Sequence, residues 1–228
     1  KALYAAEGAA KAHAAAFEVL DQGKANALTQ GVDAAGLKKI TRNWKLLEDG
    51  ARLLLKDVLP RLDLPQDTMG AIISSDRASY GLVASPEEIA HNPYILSELY
   101  CGESKDDRIP WSTVDRGVLP SPDLGGEPLA EIDSNDERRF RSLCVEHLRR
   151  EPSHTFRLAQ DLLVDIARRI QRLPEWKQAE FSSRYFEVDA EFLSGALTLR
   201  PVDDGLTVYL KSIFEDERLV EDTLVELV

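Results

Sequence analysis

Three carboxylates lie close together near the middle of the sequence, Asp106, Asp107 and Asp115, and carboxylates are what metal-assisted hydrolysis uses to hold a divalent cation. Arg108 and Arg116 stand beside them in a stretch rich in Pro and Gly, so ion pairs and turn hydrogen bonds compete for the same oxygens. Two nucleophile types occur nearby, Cys101 and Ser104, but no motif brings a histidine to either. The histidines themselves, His13, His91, His147 and His154, are scattered without the spacing of a metal site. The Gly23-Lys24 step is followed by Ala25, which excludes a GxxxxGK[ST] phosphate loop. The expectation is a chain with no catalytic residue, no metal and no bound cofactor of its own.

What remains to do chemistry is charge. The 228 residues carry 40 Asp and Glu against 28 Lys and Arg, a formal net charge of -12. That balance rules out a uniformly basic nucleic-acid coat, yet partners respond to local fields. Residues 33–61 hold seven bases against four acids: Lys38, Lys39, Arg42, Lys45, Arg52, Lys56 and Arg61. Residues 137–172 hold nine arginines against five acids: Arg138, Arg139, Arg141, Arg149, Arg150, Arg157, Arg168, Arg169 and Arg172. The stretches 62–136 and 173–228 are strongly acidic. Such islands are also what ordinary solvated helix faces look like, with partners such as Glu146 and Arg150, or Asp161 and Asp165 near Arg168.

The elements that must position these charges read as mainly helical. Residues 3–20 are Ala-rich and end at Gln22-Gly23. Gly31 is free to take a positive φ, and Asp33 is placed to cap a helix carrying Leu37, Ile40 and Trp44. A further helix through Ala51, Leu54 and Val58 stops at Leu59-Pro60, and another runs from Pro65 to about Ala78. Tyr80-Gly81-Leu82 turns the chain, and Ser85-Pro86-Glu87-Glu88 caps a short helix. From Tyr100 to Ala130 the Pro and Gly content, Gly125-Gly126 included, predicts an irregular segment. Helices resume over 133–149 and 156–173, with a short one from Pro174. Two β-prone runs, 196–200 and 206–210, flank an Asp-Gly turn, and a last helix spans 212–227. Helices followed by a β-hairpin are the order of a winged-helix unit.

The expected fold class is accordingly mainly α: a helical-hairpin bundle, helix-hairpin-helix-like, over 1–99, an irregular Pro/Gly-rich connection over 100–130, and a small winged-helix-like unit with one β-hairpin over 131–228. No apolar run approaches the roughly 20 residues a bilayer requires. Two cysteines, Cys101 and Cys144, are too few for a disulfide framework and read as reduced cytoplasmic thiols. The chain opens on Lys1 with no signal-peptide pattern, and we expect it to be part of a larger protein.

Four stretches, in order, resemble the region preceding the motor in RecD-like ATP-dependent DNA helicases, the group of the exodeoxyribonuclease V alpha subunit. They are Gly36-Leu-Lys-Lys-Ile40 through Trp44 to Leu59; Tyr80-Gly81-Leu82 through Asn92-Pro93-Tyr94-Ile95-Leu96; Ser153-His154-Thr155-Phe156; and Val208-Tyr209-Leu210 through Ile213-Phe214 to Glu217. The departures are a loss of the second glycine in both hairpin turns, Gly31-Val32-Asp33 and Gly81-Leu82-Val83, a serine at 153, and an insertion over 107–120. The resemblance implies an accessory region of a helicase in DNA repair or recombination. Lys38, Lys39, Arg42, Lys45, Arg157, Arg168, Arg169 and Arg172 would then contact DNA, with Gly31, Gly36 and Gly81 at the hairpin turns. It implies single-stranded or forked DNA and a partner subunit as partners, no membrane and no small-molecule substrate, with ATP and Mg2+ belonging to the parent's motor. A protein-docking scaffold without DNA contact is the alternative, and a metal-dependent nuclease built on Asp106, Asp107 and Asp115 a third.

Overall fold

The computed structural model describes residues 8–102, 107–124, 128–129, 131–150 and 154–226. Ser104, Asp106, Gly125, Gly126, Ala130 and Ser153, all singled out above, lie outside them. Helices α1 (Ala9–Gln22) and α2 (Ala34–Leu46) form an opening hairpin. Gly23, in the left-handed region at φ 69°, ends α1 and returns its N–H to the Val19 carbonyl. Asp33 caps α2, its carboxylate accepting from the Gly36 N–H at 2.7 Å. Trp44 ties the two helices together: its ring packs 5.5 Å from that of Phe17, and its indole N–H donates to Asp21 at 2.8 Å.

Next, α3 (Asp49–Leu53) runs on through a π turn (Leu54–Val58) and a 3-10 turn (Leu59–Arg61). The predicted stop at Pro60 is a change of helical pitch, since proline fits an early turn position but cannot donate to an α ladder. Then follow α4 (Gln66–Ile73), a 3-10 turn ending at Gly81, and α5 (Pro86–His91), whose Ser85 and Glu88 form a complete capping box. After α5 come α6 (Ile95–Leu99), α7 (Trp111–Val118) and α8 (Glu137–Arg150).

The helix α7 corrects the expectation of an irregular 100–130 segment. Trp111, Val114 and Val118 recur on one face at helical spacing and are fully buried, so core burial outweighs the Pro and Gly punctuation around them. One hydrophobic cluster runs from Leu54, Ile72 and Tyr94 through Trp111 and Val114 to Phe140, Leu162, Ile166 and Val208. It crosses both sequence-based divisions, at 99 and at 130. Each fully buried side chain of this size contributes roughly 1.5–3 kcal/mol.

The C-terminal part adds β1 (Phe156–Leu158), α9 (Ala159–Ile170), α10 (Arg184–Val188), α11 (Ala190–Leu193), β2 (Leu197–Val202), β3 (Gly205–Leu210) and α12 (Lys211–Glu226). The hairpin is as expected, with Asp203 and Asp204 between the paired Val202 and Gly205. The helix expected from 156 instead opens on a strand: β1 pairs antiparallel with β3, Phe156 opposite Tyr209, giving a three-stranded sheet in the order β1-β3-β2. Stacking of the Phe156 and Tyr209 rings, 5.3 Å apart, stabilises that pairing. Among the described residues no helix is long and apolar enough to cross a membrane.

Candidate functional site

The first basic island is concentrated on α2. Lys38, Arg42 and Lys45 follow at steps of four and three residues and so share one helix face. They rim a groove of about 590 Å3 between α2 and the end of α1, with Ala34, Leu37, Thr41 and Leu46 supplying an apolar lining and Gly23 its near wall. All three are exposed, as is Lys39 one step round the helix. None of the four makes an ion pair with a described residue. Four unneutralised cations around an apolar groove are unusual in a chain this acidic.

The hairpin turns do not reinforce that site through their amides. Gly31 takes φ 90°, and the adjoining Asp33 places a carboxylate on the Gly36 N–H, where an N-terminal phosphate contact would lie. Gly81, at φ 81°, sends its own N–H to Ala78, and the next two amides go to Arg77 and to Gly81 itself. It is also wedged inside the fold, since a Cβ there would stand 2.5 Å from the Leu99 carbonyl oxygen. Gly81→Ala is therefore expected to cost more than the roughly 1–2 kcal/mol of a left-handed alanine alone. A urea titration would show it as a lower midpoint with unchanged slope, whereas Gly31→Ala, with nothing within 4 Å, would show only the conformational part.

The second island is largely spent on the interior. Arg157 pairs with Asp165 at 2.7 Å, and Arg169 pairs with Glu146 at 2.8 Å while lying 4.6 Å over the Trp111 ring. Arg168 reaches Asp165 at 3.2 Å from an exposed position, and Arg172 is exposed beyond α9. The anticipated Glu146–Arg150 pair is present at 2.6 Å. Arg141 makes two bonds to the Glu98 carboxylate, 3.1 and 2.8 Å, and stacks 4.1 Å from Phe192. Burial pushes the Glu98 carboxyl up against the opposing pull of Arg141. Arg149 donates to the Ser97 and Glu98 carbonyls, and burial lowers its pKa to about 10.

Asp115 is the hub of this interior. Its Oδ1 accepts from Arg139 Nε at 2.7 Å and from the Tyr94 hydroxyl at 2.8 Å, and its Oδ2 accepts from Lys177 Nζ at 3.0 Å. Arg139 is fully buried, and Lys177, whose pKa burial lowers, also donates to the Asp115 carbonyl. A carboxylate held by two cations and a phenol is structural, so Asp115 does not join Asp107, which lies exposed beside a separate cavity of about 470 Å3 lined by Asp63, Asp67, Tyr80 and Tyr100. Among the described residues no group of three or more His, Cys, Asp or Glu is placed to hold a metal ion. Residue-by-residue reading missed Glu98, Asp115 and Lys177 as buried ions. For Asp115 the signal was present, because it shares the helical phase of Trp111, Val114 and Val118.

No known family, curated protein or solved structure matches the chain.

Both cysteines are free; Cys144 is buried, which pushes its thiol well above the ordinary range and keeps it protonated. His147, on α8, is held below its usual pKa, first by burial and then by Arg169 and Arg150, against the weaker pull of Asp165 and Glu146. A histidine with a depressed native pKa binds fewer protons folded than unfolded, so stability must fall as pH drops through the unfolded value near 6.5. Thermal unfolding between pH 7 and pH 5.5 should show that loss, and His147→Gln should flatten it; an unchanged slope in the variant would remove His147 as the cause.

Proposed function

We propose that this chain is a non-catalytic accessory region of a RecD-like ATP-dependent DNA helicase or exonuclease, engaging single-stranded or forked DNA through the α2 face for a motor elsewhere in the parent protein. The carrying observation is the row Lys38, Arg42 and Lys45, free of carboxylate partners beside an apolar groove. Backbone phosphates neutralise such a row without sequence preference, and unstacked bases or sugars suit an apolar floor better than a closed duplex does. The four-stretch resemblance supports the helicase context. The unit α8, β1, α9 and the β2–β3 hairpin has the element order of a winged helix, and we assign it a bracing role rather than the main contact, because its arginines are turned inward.

Fluorescence anisotropy with labelled single-stranded, forked and duplex oligonucleotides tests this. Salt-sensitive binding that prefers single-stranded or forked DNA is the expected result; no binding at about 50 mM salt, where phosphate contacts are strongest, would sink the reading. A scaffold for a partner subunit is the second reading, favoured by the exposed apolar residues of α12, Leu219, Val220, Leu224 and Val225.

A further inference from the structure

The last helix is anchored only at its beginning. Phe214 packs edge-on against Tyr209, 5.2 Å between ring centroids, and from Glu215 to Val225 every residue is exposed. Ile213, Val220 and Leu224 nevertheless fall on one stripe, separated by seven and four residues, and Leu224 is 59% exposed. Asp216 borders the stripe on one side and Glu217 and Glu221 on the other. An amphipathic helix with an apolar seam between carboxylates is thus presented to solvent. The α2 groove is its counterpart, an apolar floor between Lys38, Arg42 and Lys45.

We propose that α12 of one copy of this chain lies in the α2 groove of a second copy, Ile213, Val220 and Leu224 against Leu37 and Leu46, and Asp216, Glu217 and Glu221 against Lys38, Arg42 and Lys45. Charge selects this pairing. Two α12 helices face to face would set carboxylate against carboxylate, and two α2 faces would set cation against cation. The helix is not in its own chain's groove, since Glu215 to Val225 are exposed. A helix docking by residues one and two turns apart into an apolar groove is a common mode of recognition. Made reciprocally the contact closes a dimer, and made in one direction only it continues as a chain.

Sedimentation velocity on the purified chain, at low salt and rising concentration with no nucleic acid present, is the test. Mass-action association is expected, weakened at least about tenfold by Val220→Asp with Leu224→Asp, and equally by Lys38→Glu with Arg42→Glu. All four positions are exposed, and circular dichroism confirms that each variant folds. The decisive arm mixes two charge variants: Lys38→Glu with Arg42→Glu offers an acidic groove, Glu217→Lys with Glu221→Lys offers a basic helix, and together they should associate where each alone does not. A chain that stays monomeric throughout, or association indifferent to both pairs of substitutions, overturns the proposal. Because no nucleic acid enters the experiment, its outcome is independent of the DNA-binding reading.

Discussion

Asp115→Ala is expected to lower the unfolding free energy by about 3–5 kcal/mol, the cost of leaving buried cations without their counter-ion. Arg139 would keep only its bond to the Ser134 carbonyl, and Lys177 only its bond to the Asp115 backbone oxygen, while the Tyr94 hydroxyl would lose its acceptor. Loss on that scale is a large part of the 5–15 kcal/mol that holds a typical domain folded. Chemical denaturation should therefore show either a strongly lowered midpoint or failure to accumulate as soluble protein. The companion Lys177→Met separates two accounts. Removing one cation leaves Asp115 paired with Arg139, so the ion-hub account predicts a smaller loss than Asp115→Ala. The double substitution should also cost less than the sum of the singles, because the second change removes a charge the first had stranded. Strict additivity would mean that Asp115 acts by packing alone.

The same hub explains which parts of this molecule could be read in advance. Local chemistry was legible: Gly23 and Asp33 bound the first two helices, Ser85 and Glu88 form the capping box, and Val202 to Gly205 close the hairpin. These features depend on a few adjacent residues, and the physics that selects Gly, Asp or Ser there is local. The helix α7 was not legible, because Pro110 and Gly117 resemble loop punctuation and the decisive fact, that Trp111 and Val114 are sealed by α8, is tertiary. Gly117 serves packing rather than a turn: a Cβ there would meet Leu62 Cδ2 at 2.5 Å.

Charge counting failed in a parallel way. It ranked the second basic island above the first, yet Arg139, Arg141, Arg157 and Arg169 are bonded to Asp115, Glu98, Asp165 and Glu146, whereas the smaller island on α2 keeps its cations free. A sequence sum treats an arginine facing a buried carboxylate 24 positions away like one facing water. Only folding distinguishes the two, and only the unpaired ones remain available to a partner. Asp33 carries the same lesson on a smaller scale: the residue that makes α2 start is also the one that closes its N-terminal amides to an anion.

That distinction sets the second large effect. Reversing Lys38, Arg42 and Lys45 to glutamate together should weaken oligonucleotide binding by about 100-fold at low salt, taking about 1 kcal/mol for each unit-charge contact in water. The salt dependence is the sharper readout. Each phosphate contact on a single strand adds about 0.7 to the slope of log affinity against log salt, so losing three should reduce that slope by about 2. Arg168→Glu with Arg172→Glu should change both quantities much less, since Arg168 already shares Asp165 and neither residue borders the α2 groove. Had the second island been the contact surface, the ranking would invert, and anisotropy titrations of the two variants at several salt concentrations would show it directly. Reversing charge at exposed positions with no internal partner leaves the core untouched, so unchanged unfolding midpoints in the α2 variant would assign its lost affinity to the helix face itself.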